Sequence, residues 1–195
     1  MKYLMMLLGV TLMISHKATA QTEAPTLKLS LQTDLIAYTT NGGYSIWAVA
    51  QHHKNRLSLA YVNFPNRYAA EYEETGIKVD DSFVRLGLWR YASDRHAFFY
   101  GANFEYHWLK LAEDNNTEVL NDNNLKIGAI VGYEWRPWNK KDNFLSNFSI
   151  APWAGPTFVL NKNSHVFENT GSVYEAASPI EASVGINLGY TLYKK

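Results

Sequence analysis

The sequence predicts an all-β protein: a single domain of eight antiparallel strands closed into an up-and-down transmembrane β-barrel. Three observations predict it. The first is the stretch from Phe98 to Trp108, read two residues at a time. Phe98, Tyr100, Ala102, Phe104, Tyr106 and Trp108 form one row, and Phe99, Gly101, Asn103, Glu105 and His107 form the other. A period of two marks a strand with unlike faces, here one bulky and apolar, the other small or ionisable. The second observation is that eight such segments of about ten residues follow one another, the length a tilted membrane strand needs. The third is that their connections sort into two sets, tight on one side and mostly long on the other, as in outer-membrane barrels.

The segments run Leu27 to Tyr38, Tyr44 to His52, Arg56 to Phe64, Ser82 to Tyr91, Ala97 to Leu109, Leu125 to Trp135, Phe148 to Phe158 and Ile180 to Leu192. With both termini at one side, the links His52 to Arg56, Ala92 to His96 and Pro137 to Ser146 lie there. Thr39 to Gly43, Pro65 to Asp81, Ala112 to Asn124 and Leu160 to Pro179 lie at the other.

Volume sets the facing. In the last segment Ile180, Ala182, Val184, Ile186, Leu188, Tyr190 and Leu192 oppose Glu181, Ser183, Gly185, Asn187, Gly189 and Thr191. Side chains just fill an eight-stranded interior. Glycine, serine and asparagine fit there, and rings from several strands are expected not to. The bulky rows therefore face lipid, with aromatics as two belts. Tyr91, Phe98, Trp135, Phe148 and Tyr190 make one, and Tyr61, Phe64, Tyr106, Trp108 and Phe158 the other. Both rows of Tyr44 to His52 are mixed, which leaves its facing open. Pro152 and Pro156 each lack a ladder donor, so a bulge or bend is expected there.

Residues 1–20 read as a secretory leader, with Lys2, an apolar run from Tyr3 to Ile14, and Ala18-Thr19-Ala20 before Gln21. Residues 21–195 form the barrel. Without Lys2 and Lys17 of the leader, 18 − 2 = 16 basic residues face 18 acidic ones. Such a near-neutral chain offers no nucleic-acid footprint. The absence of cysteine excludes disulfides, thiol catalysis and thiolate metal sites.

Ser183-Val184-Gly185-Ile186-Asn187-Leu188-Gly189-Tyr190 resembles the last-strand insertion signal of the small eight-stranded outer-membrane barrels, the OmpA-like and OmpX-like class. Gly132-Tyr133-Glu134-Trp135-Arg136-Pro137, with Pro152-Trp153-Ala154-Gly155, is similar to a group of bacterial barrels of this kind. The resemblance implies a fold and a bacterial outer-membrane location. It implies no reaction, because the class holds adhesins, anchors and lipid-modifying enzymes.

Three constellations carry candidate chemistry. Lys28, Asp34, Arg85, Asn103, Glu105, Lys126, Glu134 and Glu181 fall on inward rows as a polar network, with Arg85 near Glu105 across a turn. Buried charge needs such pairing; the same set would line a narrow pore. Glu105 and His107, with Ser164 and His165 of the last loop, are the residue types of an acyl hydrolase acting on lipid A or phospholipid. The acidic loops Glu71 to Asp81 and Glu113 to Asn124 hold Asp114-Asn115-Asn116 and Asp122-Asn123-Asn124, oxygen donors that lack a full calcium loop. His52, His53 and His96 sit in turns. No metal or cofactor is expected. The expected partners are outer-membrane lipid, lipopolysaccharide and an extracellular or envelope protein met through the long loops.

Overall fold

The computed structural model describes residues 27–39, 42–67, 77–92, 97–113, 119–138, 144–161, 163–168, 170–171, 173–175 and 179–194. The strands are β1 (Leu27–Asp34), β2 (Tyr44–His52), β3 (Asn55–Arg67), β4 (Ile77–Tyr91), β5 (Phe98–Glu113), β6 (Val119–Tyr133), β7 (Phe148–Val159), β8 (Ser164–Val166), β9 (Val173–Glu175) and β10 (Ile180–Lys194). Eight of them close into a barrel in the order β1-β10-β7-β6-β5-β4-β3-β2, every pairing antiparallel. The ends joined by His53-Lys54 and residues 92–97 are here the turn end, and the opposite ends the loop end. The leader, His96, Glu71 and Asp114-Asn115-Asn116 lie outside the described residues.

All eight expected segments form barrel strands, and their limits differ by one or two residues at the turn end and by more at the loop end. β1 stops at Asp34 and a short helix α1 (Leu35–Thr39) follows. Asp34 causes the change: its Oδ1 accepts the Ile36 N–H at 3.0 Å, the bond by which an aspartate caps a helix start. β4, β5 and β6 run beyond their expected ends, with Ile77 opposite Glu113 and Ala112 opposite Val119. Their inward row stays apolar there. Ile77, Val79, Leu109 and Leu111 bury against Phe167 and Tyr174, which lie on or beside the hairpin β8–β9. That hairpin folds from a segment expected to be loop.

The two prolines leave no bulge. β7 pairs with β10 without a register shift from Phe158–Ile180 to Phe148–Tyr190. The effect falls on the other neighbour. β6–β7 pairing runs through Gly128–Thr157, stops, and resumes at Val131–Ala154 in the same register. Ile150 exchanges backbone bonds with Trp135 of the β6 side, so by alternation Pro152 and Pro156 also turn their backbone toward β6. Two donors are missing from one seam, and the closed ring holds the register regardless.

The facing of β2 resolves: Ser45, Trp47 and Val49 are buried, and Tyr44, Ile46 and Ala48 are exposed. The expectation that rings stay outside is overturned. Trp47, Phe83, Trp89, Phe99 and Trp153 form the inner core. Tyr91, assigned above to an aromatic belt, is buried in that core too, and Phe64 packs against it. The small inward residues make the room. A Cβ on Gly132 would stand 2.3 Å from Phe99 Cζ, and one on Gly87 2.8 Å from Trp89 Nε1. Each glycine leaves room for a ring beside it on the wall, Gly132 for Phe99 of the neighbouring strand and Gly87 for Trp89 two residues along its own.

Candidate functional site

The lumen is built in polar and aromatic layers. At the turn end the Arg56 guanidinium donates to Tyr91 Oη at 2.9 Å and to Glu134 Oε2 at 3.0 Å. Tyr91 donates to the same Glu134 oxygen, and Arg136 Nε reaches Glu134 Oε1 at 2.6 Å. Arg56 and Glu134 are buried, and Arg56 lies 4.7 Å above the Trp89 ring. A buried charge costs several kcal/mol unless paired and hydrogen-bonded; here the carboxylate meets two arginines and a phenol. Lys28 is half-buried at the same mouth.

Above this layer each indole N–H has an acceptor. Trp89 donates to Asn103 Oδ1 at 2.9 Å, Trp153 to Asn187 Oδ1 at 3.1 Å, and Trp47 to Ser45 Oγ at 3.3 Å. Asn103, buried on the inward row, thus serves an indole. Asp34 likewise serves backbone, its Oδ1 accepting the N–H of Ile36 and, at 3.1 Å, of Ile186.

Toward the loop end Arg85 pairs with Glu105 at 2.9 Å, as their register requires. Its guanidinium lies 4.8 Å from the Trp153 ring, 5.3 Å from Phe83 and 5.4 Å from Trp47. His107 sits 3.0 Å from Glu105 through Nε2 and 2.8 Å from Asp81 through Nδ1, stacked on Phe83. An imidazole donates from both nitrogens only when protonated. In that form His107 and Arg85 offset Asp81 and Glu105. Lys126 reaches Glu181 at 2.8 Å.

The structure therefore brings Glu105 and His107 together and places Ser164 and His165 elsewhere. Ser164 is exposed at the start of β8, in register with Glu175. His165 lies 3.3 Å from Asp122 and stacks on Tyr174. Both ring nitrogens of His107 face carboxylates, so neither is left to take a proton from a serine. Asp122 also accepts from Asn163 Nδ2 at 2.6 Å, which ties the hairpin down. Among the described residues no three His, Cys, Asp or Glu stand together as a metal set. His52 and His53 form an exposed edge-to-face pair at 4.5 Å.

Arg56, Asp81, Tyr91 and Asp122 were absent from the sequence-based network. Arg56 was legible, since it continues the row of Ser58, Ala60 and Val62. Asp81 and Asp122 fell in segments read as loops, where alternation was not followed.

No family model and no curated protein matches the chain. Solved structures do resemble it. The N-terminal β-barrel domain of Pseudomonas aeruginosa OprF is 10% identical, covering 86% of this chain and 97% of that one, with a TM-score of 0.47. A major outer membrane protein from Thermus thermophilus is 10% identical over 87% of this chain and 100% of that one, with a TM-score of 0.49. Neisserial surface protein A is 9% identical over 87% of this chain and 100% of that one, with a TM-score of 0.47. At these identities the likeness concerns the fold alone.

Proposed function

We propose that this chain is an integral β-barrel of a Gram-negative outer membrane, exported by its leader, that binds or anchors rather than conducts or catalyses. The observation that carries this reading is the inversion of its surface. Phe98, Tyr100 and Trp108 are 43%, 46% and 45% exposed, while Arg85 and Glu105 between them in the barrel are 5% and 3% exposed. An exposed apolar band of this extent needs a nonaqueous neighbour. The eleven residues from Phe98 to Trp108 cover about 33 Å along the strand, or about 25 Å of height at the usual tilt. That height is the apolar band of a membrane barrel. Just past it, exposed Asp80 and Lys110 face each other across β4 and β5, which supports a polar boundary at the loop end.

The packed lumen favours a non-conducting barrel, and the occupied nitrogens of His107 favour binding over acyl transfer. The part left to meet lipopolysaccharide or an envelope partner is the loop-end extension of β4, β5 and β6 with its hairpin. The test combines membrane fractionation with mass spectrometry of lipid A from cells with and without the chain. Outer-membrane recovery with unchanged lipid A is expected. A mass change of one acyl chain, lost in His107→Ala, overturns the non-enzymatic reading.

A further inference from the structure

We infer that the outward face of β1, β2 and β3 holds a site for one anionic phospholipid at the turn end, on the membrane-embedded reading given above. The outward row of β2 falls to two alanines between leucine ridges. Ala48 lies between Leu31 and Leu59, and Ala50 between Leu29 and Leu57. Adjacent strands are about 4.8 Å apart, so the ridges stand about 10 Å apart over a floor of methyl groups. These six residues line an apolar cleft, with Leu86 extending one wall. Toward the loop end it is closed by Ile46 beside Tyr61, whose ring lies 6.0 Å from that of Tyr44.

Toward the turn end the cleft runs out at His52 and the surface becomes basic. His52 and His53 are exposed, as is Arg90, which pairs in register with Asn55 just beyond Leu57–Leu88. Among the described residues of β1 to β4, the carboxylates are Asp34, Asp80 and Asp81, all at the loop end. An apolar trough ending in imidazoles and a guanidinium fits an acyl chain whose phosphate lies at the membrane surface. Basic sites of this kind take anionic lipid headgroups. A second copy of the chain fits less well. Two copies about an axis along the membrane normal would bring the Arg90 guanidinium groups of both together, like charge to like charge.

The site is tested on the purified full chain in neutral detergent, by native mass spectrometry with added phosphatidylglycerol or phosphatidylcholine. Folding is checked by heat-modifiable electrophoretic mobility. The wild-type chain is expected to retain phosphatidylglycerol about fivefold more than phosphatidylcholine, the effect of one basic residue at a lipid surface. Arg90→Gln should remove that preference. The double change Ala48→Leu with Ala50→Leu should lower both adducts, and Val184→Leu on β10 should change neither. Adducts unaffected by filling the trough overturn the site, as does a dimer that the filled trough disperses. Insertion into phosphatidylcholine vesicles is scored in parallel. Failure to insert refutes the membrane reading, whereas insertion with unchanged adducts refutes the lipid site alone.

Discussion

Trp153 occupies the space that Gly185 leaves open: the two are paired in register, and a Cβ on Gly185 would stand 2.3 Å from Trp153 Cε2. The backbone around both is held by the closed ring, so neither partner can retreat far. Gly185→Ala is expected to destabilise the barrel by about 1–3 kcal/mol, the range for overpacking a filled core. Val184→Ala, one residue away on the outward row, should cost less. Urea unfolding midpoints of the two variants in the same detergent check the order.

Glu134 holds together the turn-end layer. Glu134→Gln leaves buried Arg56 without its charge partner and should cost about 3–5 kcal/mol. Glu181→Gln also removes a carboxylate from a cation, Lys126. The Glu181 side chain is 29% exposed, and solvent screens the loss. A cost of about 1 kcal/mol or less is expected there. Equal losses at the two sites would contradict the layered account of the lumen.

How far the sequence reached depended on how far each row could be followed. The ends of β2 at Tyr44 and His52 were legible because Gly42-Gly43 and the turn at His53-Lys54 bound it. The extensions of β4, β5 and β6 were not. Their inward apolar residues pack on Phe167 and Tyr174, which lie far along the chain, and no local pattern shows that packing. The pairing of Arg85 with Glu105 followed from turn length, while the particular partners of Asn103 and Asp34 did not, because position on the inward row does not tell charge pairing from indole or backbone bonding. Counting side-chain volume one residue at a time misplaced Tyr91 and Phe64. Gly87, Gly101, Gly132 and Gly185 were the signal for interior rings, since each leaves wall space that a ring of the same or the adjacent strand fills.

Planar bilayer recordings test whether the lumen is closed. Wild-type protein should give no ion steps, because Trp47, Trp89 and Trp153 bridge the interior, with ring centroids of Trp47 at 6.0 Å from Trp89 and 6.5 Å from Trp153. Trp47→Ala with Trp153→Ala removes two of these rings and should produce a leak. Steps from the unaltered barrel would support the pore reading.

The β6–β7 seam should be the first to open. Pro152 and Pro156 supply no N–H to it, whereas the β5–β6 ladder is continuous from Phe98–Tyr133 to Ala112–Val119. Ala129 faces β7, and Gly128 and Ile130 face β5 by alternation. Amide exchange at Ala129 should therefore outpace that at Gly128 and Ile130. Uniform protection along β6 would show that the ring compensates fully.

Site-directed spin labelling in lipid vesicles tests the central claim most directly, since the chain has no cysteine and each label site is unique. Labels at Ala102, Ala129 and Val184 should be accessible to oxygen and shielded from a water-soluble relaxant. A label at Lys110 should show the reverse, and one at Asn103 should be immobile. Water access at Ala102, Ala129 and Val184 alike would mean that the apolar rows face something other than lipid, and would contradict the account.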